Sequence, residues 1–111
     1  MKLWQVCVLA GALLFAGCKS YHVDVTVENH TGAPVRLLEV DYPNASFGAD
    51  SLAPDAVMHY RIQVQGDGPV KVQYTAPDQK QPQSTGPQLK QNQQGKLDIV
   101  LLPGGKAEFR Q

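Results

Sequence analysis

Three histidines, His22, His30 and His59, are the only imidazoles in this chain of 111 residues. A local metal site draws its ligands from one face of a strand or helix, at i, i+2 or i+4, and no two of these histidines have that spacing. His22 and His59 are expected on the outward faces of strands and His30 in a turn. Nucleophilic hydrolysis would need a Ser or Thr on a sharp turn such as Gly-x-Ser-x-Gly, and none occurs. Ser46, Ser51, Ser84 and Thr85 sit in turn or loop contexts that account for them. Glu39 and Asp41 share a solvent face at i, i+2, the spacing from which a glycosidase-like pair could be built. Adjacent outward charges on a strand more simply read as solvation. The glycines at Gly66-Asp67-Gly68 and Gly104-Gly105 read as hairpin tips with no helix behind them to receive a phosphate. Asn29-His30-Thr31 and Asn44-Ala45-Ser46 match the glycosylation sequon, but both asparagines also suit turns. No enzymatic activity and no cofactor are expected from this set.

The two cysteines carry more information. Met1 and Lys2 precede an apolar run from Leu3 to Phe15, then small Ala16 and Gly17, then Cys18. A charged start followed by a short apolar run is the layout of a secretory signal, and the run falls short of the ~20 residues a bilayer-spanning helix needs. Leu14-Phe15-Ala16-Gly17-Cys18 resembles the lipobox of bacterial lipoproteins, with Phe15 standing where Leu is usual. The resemblance implies a signal peptide over residues 1–17, cleavage between Gly17 and Cys18, and diacylglycerol on the Cys18 sulfur with acylation of the new amino terminus. Several acyl chains hold a protein stably on a membrane where one is marginal. Lys19 is not the Asp that retains lipoproteins in the inner membrane under the enterobacterial sorting rule, so the resemblance places the protein at the outer membrane of a bacterial envelope. Cys7 would leave with the signal, and the mature chain would then have neither free thiol nor disulfide.

Ten Lys and Arg balance ten Asp and Glu. No polybasic field is present to hold nucleic acid or anionic lipid, and nucleic acid is not expected as a partner. Ten Gly and eight Pro favour short elements joined by turns.

The elements follow from alternation. Val23, Val25 and Val27 share a face, as do Met58, Tyr60, Ile62 and Val64, then Val70, Val72 and Tyr74, then Leu97, Ile99 and Leu101. Period two with β-branched residues marks half-buried strands. The strand from Val35 starts with Leu37 inward and continues with Leu38, Val40 and Tyr42 inward, a slip of parity that predicts a β-bulge. A short strand is expected around Phe47. The segments around Ile62 and Val72 are expected to form a hairpin through Gly66-Asp67-Gly68-Pro69, and Pro103-Gly104-Gly105 to turn the chain into a strand at Ala107 and Phe109. No apolar stripe at 3.6 spacing predicts a helix. Residues 77–95 are rich in Gln with only Leu89 large and apolar, and read as a mobile loop with at most a brief edge strand at Gln88–Lys90.

About seven alternating strands predict a single antiparallel β-sandwich over residues 22–111, joined by a short tether at residues 18–21 to the lipidated cysteine. Leu52-Ala53-Pro54 ahead of Met58, His59 and Tyr60 resembles the corner of fibronectin type III and other immunoglobulin-like domains, with Tyr60 two residues beyond the usual spacing. That resemblance implies a likeness to extracytoplasmic sandwich modules. The function expected is that of a non-enzymatic, membrane-anchored envelope lipoprotein of accessory type, with an envelope protein as partner. The competing expectation is a small-ligand or metal-binding domain using a loop end. If direction reverses at each connection, His30, Asp55 and Gln79 lie at the end away from the tether and are the candidate partner contacts.

Overall fold

The computed structural model describes residues 21–111. Gly17 and Cys18, and with them the cleavage and lipidation sites, lie outside the described residues. Eight strands follow one another: β1 (Val23–Asn29), β2 (Val35–Tyr42), β3 (Ala45–Leu52), β4 (Val57–Ile62), β5 (Gly68–Thr75), β6 (Gln83–Leu89), β7 (Gly95–Leu102) and β8 (Lys106–Arg110). They form two four-stranded sheets, one ordered β4-β1-β7-β8 and the other β3-β2-β5-β6. Among the described residues there is no helix.

The alternation of β1 and β7 buries Val23, Val25 and Val27 beside Leu97, Ile99 and Leu101. Facing them, β2 and β5 bury Val35, Leu38, Val40, Val70 and Val72. Two inner faces of branched aliphatics pressed together are the core of a β-sandwich, as the periodicity predicts. Three of the finer expectations need correction. The sandwich is not antiparallel throughout, because β1 and β7 run parallel, Val23 opposite Gly95 and Asn29 opposite Leu101. Among the described residues there are eight strands, and their order is not plainly that of an immunoglobulin-like domain.

The strand beyond the expected seven is β6, in the Gln-rich segment expected to be mobile. It needs few apolar residues because it is an edge strand that pairs with β5 alone. Leu89 is its anchor, at 0% exposure. The polar side chains find partners along the sheet: Gln83 Nε2 donates to Gln73 Oε1 at 2.9 Å, and Gln73 Nε2 donates to Glu39 Oε2 at 2.8 Å. An amide chain across β6, β5 and β2 thus replaces the burial that composition lacks.

β4 and β5 do not form the expected hairpin, since they belong to different sheets. Val64 extends the inward alternation past the end of β4 and is 1% exposed, which takes the chain into the core and across to the second sheet. The Asn44 side chain holds this crossing by donating to the Gln65 carbonyl. The β7–β8 hairpin forms as predicted, with Leu102 opposite Lys106 and positive φ at Gly104 and Gly105.

The predicted bulge is present. Two residues of β2, Leu37 and Leu38, oppose one of β5, Tyr74, between the pairs Arg36–Thr75 and Glu39–Gln73. Leu37, expected inward, is instead turned outward at φ 50 and is 59% exposed, so Leu38 takes the core position. Tyr60 has the expected inward parity opposite Val25 but is 47% exposed. β3 and β4 are edges of opposing sheets, and Tyr60 closes the gap between them by stacking on Phe47, ring centroids 4.5 Å apart and planes 7° apart. On the other side Phe109 of β8 covers Gly86 of β6, where a Cβ would lie 2.6 Å from the ring.

Candidate functional site

Strand direction sorts the connections into two ends. The chain enters β1 at one end, here the near end, with the β2–β3, β4–β5 and β6–β7 connections beside it. The β1–β2, β3–β4, β5–β6 and β7–β8 connections lie at the far end. His30, Asp55 and Gln79 therefore share the far end, as the alternation of direction predicts. They occupy three different turns.

Asn29, at the end of β1, organises this end. It is 0% exposed, the one buried polar side chain among the described residues. Its Nδ2 donates to the carbonyls of Ala33 at 2.8 Å, Leu52 at 2.9 Å and Ala53 at 3.2 Å. Its Oδ1 accepts from Thr31 N at 3.0 Å and Thr31 Oγ1 at 2.7 Å. A buried amide so fully satisfied is a joint, tying β1 of the first sheet to the start of β2 and the end of β3 in the second. The same burial leaves no room for a glycan on Asn29.

Two of the far turns have positive φ in non-glycine residues. Ala56 N donates to Ala53 O at 3.1 Å around Pro54 and Asp55, and Asp55 takes φ 62, the pattern of a type II turn. In the β5–β6 turn, Gln79 N donates to Ala76 O at 2.9 Å and Ala76 N to Lys80 O at 2.8 Å, with Gln79 at φ 70. That is a three-residue hairpin loop whose last residue is left-handed.

Between this loop and the β7–β8 turn opens a cleft of about 690 Å³. Tyr74, Val35 and Ala33 supply an apolar floor, Pro77 and Pro82 one wall and Leu102 and Pro103 the other. Gly105 brings the second wall close, since a Cβ there would lie 3.3 Å from the Pro82 Cβ. Burial, and then the nearby Asp78 charge, push the Tyr74 phenol above its ordinary pKa of 10.0, so it remains a donor. Asp78 and Lys80 stand on the rim with 3.9 Å between charged atoms. The volume is of the size that small ligands occupy. His30, Asp55 and Gln79 do not line the cleft. Sequence reasoning missed Tyr74 and the three prolines, whose visible signal was only turn chemistry.

The outer face of the first sheet presents a second polar array. Register places His59, Thr26, Asp98 and Arg110 in one row across β4, β1, β7 and β8. Thr26 Oγ1 lies 3.2 Å from His59 Nδ1. Glu28 stands one diagonal step from Asp98 across β1 and β7, and Asp98 Oδ1 is buried without a hydrogen-bond partner. The interaction with Asp98 holds Glu28 below its ordinary pKa, while burial and then the neighbouring Glu28 raise Asp98. His30 Nε2 is 3.4 Å from Glu28 Oε1. The Thr26–His59 pair sits on a flat, exposed strand face, without the strained turn and donor pair that acyl transfer needs. Among the described residues no three His, Cys, Asp or Glu side chains are grouped to hold a metal. Glu39 accepts from Gln73 and Asp41 lies opposite Lys71, so each has its own partner across the sheet. His22 is half-buried at the start of the domain.

No family model matches the chain, and no curated protein matches it. Among solved structures, a protein from Eubacterium rectale determined by NMR is similar, with a TM-score of 0.59 over 81% of this chain and 87% of that one, at 11% identity. At that identity the likeness shows the fold alone.

Proposed function

We propose that the protein is a lipid-anchored lipoprotein of the bacterial envelope whose sandwich is a non-enzymatic binding module, presenting its far end to an envelope protein. The observation that supports this reading best is the spacing between the lipobox and the domain. β1 begins at Val23, so Lys19 to His22 separate it from Cys18. Four residues span about 14 Å at most. A domain so short of tether rides on the bilayer with its near end toward lipid and its far-end turns toward the aqueous phase. The likeness to immunoglobulin-like modules enters here only through the shared sandwich architecture, and outer-membrane delivery rests on Lys19.

The cleft favours a second reading, in which the far end takes a small ligand with an apolar body and an acceptor for the Tyr74 phenol. The two readings separate cleanly. Intact mass should show acyl chains at Cys18, and Cys18→Ser should remove that mass and release the mature domain from membranes. A wild-type chain without acyl mass would overturn the anchor. Under the second reading a ligand that fills the cleft should raise the melting temperature, and Tyr74→Phe should reduce that rise.

A further inference from the structure

We propose that the near end binds anionic phospholipid headgroups directly, through Lys90, Lys96 and Arg61 around the point where the chain enters β1. The inference rests on the lipid-anchor reading for how this end reaches a bilayer, and on independent charge geometry for what it does there.

The chain enters beside β7: Val23 lies opposite Gly95, and Gly95 N donates to His22 O at 3.2 Å. Lys96 is the next residue of β7, and register sets it on one side of Asp24 with Arg61 on the other. Lys90 stands in the adjacent β6–β7 turn. All three cations are exposed. Arg61 Nε pairs with Asp24 at 3.1 Å, whereas Lys90 and Lys96 make no ion pair among the described residues. Of the other near-end carboxylates, Asp67 accepts the Gln91 N–H at 2.9 Å and Asp41 faces Lys71. Lys71, Lys90, Lys96 and Arg61 exceed Asp24, Asp41 and Asp67 by one charge, and the surplus falls to the two lysines without ion pairs. Lys19 adds another cation next to Cys18 in sequence.

The far end has the opposite balance. Glu108 is paired with Arg110 at 2.9 Å, and Glu28, Asp50, Asp55 and Asp78 outnumber Arg36, Lys80 and Lys106 there by one. A domain polarised in this sense is oriented by a negative surface: the lysine end is drawn in and the carboxylate end held off. Each Lys or Arg near an anionic bilayer multiplies the bound population roughly fivefold, and the effect decays within a Debye length. A net-neutral protein can carry this device because the charges are separated along its axis.

The test uses the full chain, purified in detergent and reconstituted into phosphatidylcholine vesicles with or without phosphatidylglycerol, each containing a headgroup-linked quencher. A fluorophore is placed at Gln94→Cys on the near end or Gln81→Cys on the far end. Phosphatidylglycerol should increase quenching at position 94 and not at 81. High salt, or the pair Lys90→Gln and Lys96→Gln, should remove that increase, the two lysines together accounting for roughly 25-fold in docked population. Quenching at 94 that ignores phosphatidylglycerol, or that the double variant leaves unchanged, would overturn the proposal. Intact mass reports the anchor separately. If the chain carries no acyl group, flotation replaces quenching: floating with phosphatidylglycerol vesicles but not with phosphatidylcholine alone upholds the headgroup site without the anchor, and floating with neither overturns it.

Discussion

The two sheets solve the same packing problem by different means. In the first, β4-β1-β7-β8, every pair keeps one register from end to end, and side-chain alternation runs unbroken along β1. In the second, β3-β2-β5-β6, the register shifts between β2 and β5 and again between β5 and β6. Its irregularities are held by particular residues. Gly48 of β3 lies against the Leu38 carbonyl at the bulge, so closely that a Cβ would collide with it. Regular strands draw stability from apolar area, and the bulged ones depend on single residues that tolerate a special conformation or contact.

The largest effect belongs to the regular sheet. Ile99, fully buried on the central β7, should cost about 4 kcal/mol as Ile99→Ala, read by denaturant unfolding. A loss under ~1 kcal/mol would mean that this sheet is not the main source of stability. Next is the joint between the sheets. Asn29→Ala strands three carbonyls and the Thr31 donors and should cost about 3 kcal/mol. Hydrogen exchange should show protection lost at the far ends of both sheets, and loss confined to β1 would remove Asn29 from its bridging role.

The third prediction has the opposite sign. Leu37 pays for its left-handed backbone with no core contact in return, so Leu37→Asn should stabilise the domain by about 0.5–1 kcal/mol. Destabilisation instead would show that the exposed leucine packs against something in the second sheet. The smallest effect is a pH dependence. Asp98 titrates above its ordinary 3.8, so the native state holds its proton longer than the unfolded chain does. Its contribution to stability is then greatest at low pH and falls as pH rises from about that ordinary value through the raised one. Glu28, lowered, works in the other direction, favouring the fold above its ordinary 4.5 and losing that benefit as pH falls. Asp98→Asn should gain on the wild type as pH rises toward neutrality, and a difference constant with pH would show that the fold leaves Asp98 unperturbed.

The same contrast explains what was legible in the sequence. β1 announces itself because its alternation is complete, and β7 because Leu97, Ile99 and Leu101 share the core face within a β-branched apolar run. The bulge was legible as a slip of parity, but not which leucine would be expelled, since Leu37 and Leu38 are chemically equal and only the left-handed backbone at Leu37 tells them apart. The β4–β5 crossing was misread because Gly66-Asp67-Gly68-Pro69 has hairpin chemistry, while the deciding residue, Val64, lies before it. β6 was hidden because an edge strand stabilised by side-chain amides has the composition of a loop. The far-end cleft could not be read at all: Tyr74 looks like another core residue, and only the divergence of two turns far apart in sequence exposes it.

The placement of β1 has a mechanical consequence. It is an inner strand with β4 on one side and β7 on the other, and the chain leaves it along its own axis at the near end. A pull on the residues before Val23, against resistance at the far end, loads both ladders along the strand direction, roughly across their hydrogen bonds. The bonds are sheared together rather than unzipped one at a time. An edge strand such as β8, tugged from its end away from the sheet, would peel. A chain that had to bear force through its amino terminus would be threaded in this way.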